Sequence, residues 1–174
     1  MTRRTLIIFA VWWIVLLGGL WLSRQVIIWT GTQVYLSLEP VDPRDLFRGD
    51  YVTLRYEISD WESLNDCEGL ADAEFEQGRT VYVALQVENS EAVGVCRSMN
   101  MKTAQAYGDL VIQGKMSYGG WSGNESIEYG IESYFVGQGS GIRVENGRDS
   151  KALVSIGKNG KSSVVGLMVD GQRI

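Results

Sequence analysis

The chain has 174 residues, 16 basic and 21 acidic, for a net charge of −5, with no histidine and two cysteines. Without imidazole, Ser-His-Asp and Cys-His catalysis and histidine metal sites are excluded at once, and two cysteines cannot complete a structural zinc site. An acidic surface repels phosphate backbones and anionic lipid headgroups, which argues against a nucleic-acid partner.

Nineteen uncharged residues, Thr5 to Ser23, lie between Arg3-Arg4 and Arg24. As a helix rising about 1.5 Å per residue they cover roughly 28 Å, close to the hydrocarbon thickness of a bilayer. A cleaved signal peptide needs small residues where the apolar run ends. Trp21, Leu22 and Arg24 stand there instead, and the triplet Thr30-Gly31-Thr32 lies beyond a second apolar patch, Val26-Ile27-Ile28-Trp29. The expectation is an uncleaved, single-pass membrane anchor over residues 1–29, followed by one domain over 33–174. Trp21 and Trp29 suit the far interface, where amphipathic rings settle. Arg3, Arg4 and the amino terminus outweigh Arg24, which favours a cytoplasmic N-terminus and a domain outside. Without those three arginines the remainder holds 13 basic against 21 acidic residues, a net −8.

Beyond the anchor the apolar period is mostly two, the signature of half-buried strands. Gln33 to Pro40 alternates Val34, Leu36 and Leu38. Next comes the densest chemistry, Pro40-Val41-Asp42-Pro43-Arg44-Asp45-Leu46-Phe47-Arg48-Gly49-Asp50. Pro40 and Pro43 end a strand, and Gly49-Asp50 is turn chemistry. Asp42, Asp45 and Asp50 alternate with Arg44 and Arg48, so the segment reads either as a turn whose charges satisfy one another or as a docking loop. The binding reading enlists Asp42, Arg44, Asp45, Arg48, Asp50 and Tyr51. Tyr51 to Ile58 then sets Val52, Leu54, Tyr56 and Ile58 against Tyr51, Thr53, Arg55 and Glu57, which predicts a strand with the first set inward.

From Asp60 to Gln77, Trp61, Leu64, Ala71 and Phe75 recur near helical spacing, with Ser59 and Glu62 as a capping box and Gly78 as a stop. Eight acids and no Lys or Arg fall between Glu57 and Glu76, without the spacing of a calcium loop. Cys67 and Cys96 belong to no Cys-x-x-Cys pair. Outside the cytoplasm one disulfide is the economical reading, and two buried thiols are the alternative. Thr80 to Glu88 puts Val81, Val83, Leu85 and Val87 on one face, and Asp109 to Tyr118 does the same with Leu110, Ile112 and Met116. Trp121, in Tyr118-Gly119-Gly120-Trp121-Ser122-Gly123, is either an aromatic anchor for a partner or a cap on the core. Ser140 to Arg148 is a second short helix candidate. Ala152 to Ile156 and Ser163 to Val169 flank Lys158-Asn159-Gly160-Lys161, and Asn-Gly there predicts a type I′ hairpin. The fold class is mainly β: one compact antiparallel sheet, barrel- or sandwich-like, with one or two short helices behind a single transmembrane helix. No residue pattern marks a cofactor or a metal.

Gly49-Asp50-Tyr51-Val52-Thr53-Leu54-Arg55-Tyr56 is similar, position for position, to the signature of the GDYXXLXY protein family. The resemblance extends to Val41 to Arg48, to Gly78-Arg79-Thr80-Val81-Tyr82-Val83-Ala84-Leu85 and to Gly114. It continues at Tyr129-Gly130-Ile131-Glu132-Ser133-Tyr134-Phe135-Val136 and at the terminal hairpin closing on Asp170-Gly171. The residues from Asp60 to Gln77, with Cys67, have no counterpart in it. The resemblance implies Gly49, Leu54, Tyr56, Tyr129, Gly130 and Glu132 as structural motif positions. It also implies a bacterial protein anchored in the inner membrane with its domain periplasmic, of unassigned activity, acting beside a multi-spanning membrane protein. A bacterial source sets aside the glycosylation sequon at Asn124-Glu125-Ser126.

Two other classes stand beside that accessory or binding role. A membrane anchor before a β domain with a Pro…Gly-Asp turn resembles the layout of signal-peptidase-like Ser/Lys hydrolases, with Lys102 and Lys115 as available bases. The Ser-x-x-Pro approach is absent, however: Pro40 stands three residues before Pro43, and Ser37, three before Pro40, lies inside a strand. The third class is a self-assembling envelope protein using its sheet edges and tryptophans, of which only Trp61 and Trp121 lie in the domain.

Overall fold

The computed structural model describes residues 3–39, 51–68, 75–118, 125–135 and 149–173. Helix α1 (Arg3–Thr30) leads into strand β1 (Thr32–Ser37), then β2 (Tyr51–Thr53), a 3-10 turn at Glu57–Ser59 and β3 (Asn65–Asp66). There follow β4 (Thr80–Glu88), β5 (Glu91–Ser98), helix α2 (Met101–Tyr107), β6 (Leu110–Tyr118), β7 (Glu125–Glu128) and β8 (Ser133–Phe135). The chain closes with β9 (Ser150–Ile156), β10 (Ser162–Val169) and β11 (Gln172–Arg173).

The domain is mainly β. Its large sheet runs β11-β10-β9-β1-β5-β4-β6-β7, with β3 beside β5, while β2 and β8 form a separate ribbon. The sheet curls into a half-barrel, and the Gln113 amide donates to the Gly160 carbonyl at 2.8 Å, joining β6 to the β9–β10 turn across its open side. Alternation builds the core as the sequence predicts. Val34 and Leu36, Val81, Val83 and Leu85, Ile112 and Met116, and Ala152, Val154 and Ile156 are buried in one apolar cluster. Gly114 interrupts the β6 face because a Cβ there would collide with the Ile127 side chain. On the opposite face α2 covers a smaller cluster of Cys67, Ala84, Cys96, Ala104 and Val111. Asn100 caps α2, its side chain accepting from the Lys102 amide at 2.9 Å.

Several expectations need correction. The sheet is mixed, since β1 and β3 both run parallel to β5. Over 60–68 and 75–77 there is no helix. Glu62 forms no capping box, and instead its amide donates to Asp60 Oδ1. Trp61 and Leu64 are drawn into the core and Cys67 is bonded to Cys96, which holds this stretch extended along β5. The strand predicted from Tyr51 to Ile58 ends at Thr53. Leu54, Tyr56 and Ile58 are buried nonetheless. The β9–β10 hairpin is present, but its turn is not type I′. Gly160 has positive φ while Asn159 does not, so a three-residue loop with glycine in the left-handed position closes it. The two-residue turn with positive φ at both centres is Asn89-Ser90, between β4 and β5. The candidate helix at 140–148 and Trp121 lie outside the described residues.

Among the residues described, no helix is long and apolar enough to cross a membrane. Six side chains of α1, at 3, 5, 6, 20, 23 and 24, lie outside that set, so the described run is shorter than the one in the sequence. Most of the described large apolar side chains of α1 between Ile7 and Leu22 point outward, and Ile8, Val15 and Trp21 are each about two-thirds exposed. Only Gly31 separates α1 from β1. A Cβ there would meet Ser155 Oγ and the carbonyl oxygens of Ile27 and Ile156 at 2.6 and 2.9 Å. The Ile27 carbonyl accepts from the Gly31 amide at 2.9 Å and from Ser155 Oγ at 2.8 Å, so β9 adds a second donor to the last turn of the helix.

Candidate functional site

Two stretches distant in sequence, 51–58 and 129–135, meet in the β2–β8 ribbon. Tyr51 lies opposite Phe135, Val52 opposite Tyr134 and Thr53 opposite Ser133. Past the ribbon the Leu54 amide donates to the Glu132 carbonyl at 2.6 Å. Tyr56 and Tyr129 then cross edge-to-face, with ring centroids 6.2 Å apart. Each hydroxyl reaches into the other stretch: Tyr56 donates to the Ile131 carbonyl at 2.9 Å, and Tyr129 to the Ile58 carbonyl at 2.5 Å. Gly130 takes positive φ, +75°, which lets Tyr129 and Ile131 both face the core and brings Glu132 back to accept from the Tyr129 amide. Burial first, and the Glu132 carboxylate second, push both phenols well above their ordinary value. These tyrosines are protonated donors in a structural clasp, and a role as proton-transfer groups near neutral pH does not fit them.

The clasp also fixes the base of the charged segment. Leu38 bridges Tyr56, the Glu39 amide donates to the Arg55 carbonyl at 2.8 Å, and Arg55 Nε lies 2.6 Å from Glu39 Oε2. The described stretches on either side of residues 40–50 are thus tied to each other at Glu39 and Arg55. Asp42, Arg44, Asp45, Arg48, Gly49 and Asp50 lie outside the described residues, as does the side chain of Tyr51. Of the motif positions, Leu54, Tyr56, Tyr129, Gly130 and Glu132 are brought together.

This family signature, folded as one clasp, extends to the chain as a whole. The family model for the GDYXXLXY protein matches residues 13–167. The chain belongs to the GDYXXLXY family. Neither a curated protein nor a solved structure matches it.

Elsewhere in this GDYXXLXY protein, Arg97 lies 4.0 Å from the centre of the Trp61 ring and donates to the Trp61 carbonyl at 3.0 Å. Trp61, Phe75 and Tyr118 continue as an edge-to-face ladder. Burial lowers the Arg97 pKa, while Asp66 and Glu125 act in the opposite direction. Trp61 thus caps the core. A cleft of about 160 Å³ opens where β1 leaves β5, lined by Leu36, Ser37, Glu57, Ile58, Ser63, Leu64 and the Ala92–Gly94 stretch. Ser37 therefore borders a cleft, while Lys102 and Lys115 are exposed on α2 and β6. Sequence reading missed the cleft and α2, although Asn100 ahead of Met101-Lys102-Thr103-Ala104 is a legible cap signal.

Proposed function

We propose that this GDYXXLXY protein is a single-pass, membrane-anchored accessory protein whose extracytoplasmic β domain binds a multi-spanning membrane protein. The observation that carries the reading is the outward display of apolar side chains around α1 from Ile7 to Leu22, which water does not tolerate and lipid does. Retention of the anchor and the inner-membrane location follow from that surface and from the charges flanking it. The docking element is residues 42–50, and the chain flanking them is held by the Glu39–Arg55 ion pair and backbone hydrogen bond. Pinned loops lose less entropy on binding than free ones.

The test uses the full chain solubilised from membranes with its co-purifying proteins. Arg44→Ala with Arg48→Ala is expected to leave the domain folded while a multi-spanning partner disappears from the purified complex. An intact complex with both arginines removed refutes the docking role and leaves the signature purely structural. Recovery of the chain in the soluble fraction after alkaline carbonate treatment refutes the anchor.

A further inference from the structure

The β9–β10 turn is the feature that neither the signature nor the docking loop uses. It lies at the end of the sheet where α1 enters. Thr32, the first residue of β1, pairs with Ile156, the last of β9, and Ile156 pairs with Ser162, the first of β10. Gly157 stands against the last turn of α1, where a Cβ on it would lie 3.9 Å from Ile27 Cγ1. The joint is stiff, because Gly31 has no free space and Ser155 holds the Ile27 carbonyl. Lys158 and Lys161 are exposed on this turn, and Trp29 stands 68% exposed on the adjoining helix turn.

Charge sets this end apart from the rest of an acidic molecule. Residues 25–38 and 150–164 contain three lysines and no acid. Among them Lys151, at the far end of β9, is held by Glu91 and Asp149. The nearest acids on neighbouring elements belong to the Asn89-Ser90 turn and to the start of β6. Glu91 of that turn pairs with Tyr35, three residues further along β1, about 10 Å from the joint. Asp109 is engaged with the Val87 amide at 3.0 Å.

We infer that the β9–β10 turn is a contact surface for anionic lipid headgroups, with Lys158 and Lys161 as its cations and Trp29 as its interfacial ring. The inference rests on the membrane-anchor reading. Once α1 crosses a bilayer, a joint of one glycine leaves the turn no distance to retreat, and lysines beside a negative surface are attracted to it. Lys102 lies at the opposite end, since β5 runs away from the joint and α2 follows its end.

The full chain is reconstituted in nanodiscs of phosphatidylcholine, with and without phosphatidylglycerol, and each lysine's acylation by a water-soluble amine reagent is followed by mass spectrometry. Lys158 and Lys161 are expected to react roughly five-fold more slowly in the anionic discs, while Lys102 keeps its rate. Unchanged rates at Lys158 and Lys161, with the chain retained in the discs, overturn the headgroup contact and leave the anchor standing. Failure of the chain to enter the discs overturns the anchor reading and the contact together.

Discussion

At the scale of residues, the crossed pair Tyr56 and Tyr129 binds the two halves of the family signature, so its two hydroxyls give sharp tests. Tyr56→Phe leaves the buried Ile131 carbonyl without its donor, and Tyr129→Phe does the same to Ile58. Each is expected to cost about 1–3 kcal/mol in a denaturant titration, although the ring itself is retained. The pair also makes stability depend on alkaline pH. Folding raises both phenol pKa values, so the folded state favours the protonated form. That stabilisation is complete below the unfolded tyrosine pKa of about 10 and is lost as pH rises from there towards the folded values. Denaturation midpoints are expected to fall steeply above about pH 10, and less steeply in either Phe variant. Alternation made Leu54 and Tyr56 legible as core residues. It gave no sign that the partners would be Ile131 and Glu132, because pairing between such distant stretches leaves no local pattern.

At the scale of elements, the Cys67–Cys96 disulfide fastens β3 to β5 with Cα atoms 5.0 Å apart. Its 29-residue separation predicts a loss of about 3–4 kcal/mol on replacing both cysteines with alanine, by the chain-entropy model. Calorimetry of wild type and the double variant measures it, and an unchanged midpoint would show that packing alone holds β3. The disulfide also explains a misread element. Near-helical spacing of Trp61, Leu64 and Phe75 reflects separate contacts with Arg97, the core and Tyr118, made by an irregular chain. Strands β4, β6, β9 and β10 were legible because each buries one face. Strand β5 was not. Val93 and Val95 turn apolar side chains to solvent, a bulge opposite Ala84 and Leu85 puts Ala92 and Cys96 in different clusters, and Gly94 is tucked beneath Ile58 and Leu64. The type I′ turn was expected at Asn-Gly, the most permissive pair, yet it occurs at Asn89-Ser90. There the strand pairing imposes left-handed backbone on residues that adopt it less readily.

At the scale of the whole molecule, the proposed topology predicts that a single cysteine introduced at exposed Gln105 of α2 reacts with a membrane-impermeant maleimide in intact spheroplasts. The native cysteines are paired and silent. Protection until the membrane is permeabilised would place the domain in the cytoplasm instead. The order of strands carries a further consequence, for the birth of the molecule. Strand β1 follows α1 directly, yet it occupies the middle of the sheet between β5 and β9. Its neighbours begin only at Glu91 and Ser150. During synthesis this strand therefore emerges early, with one edge open until β5 is made and the other until β9, nearly the last of the chain, follows. Pairings over such separations are slow to form, and an open strand in the meantime is a template for other chains. A chain interrupted before Ser150 leaves the β9 edge of β1 open, so it is expected to aggregate or to be proteolysed.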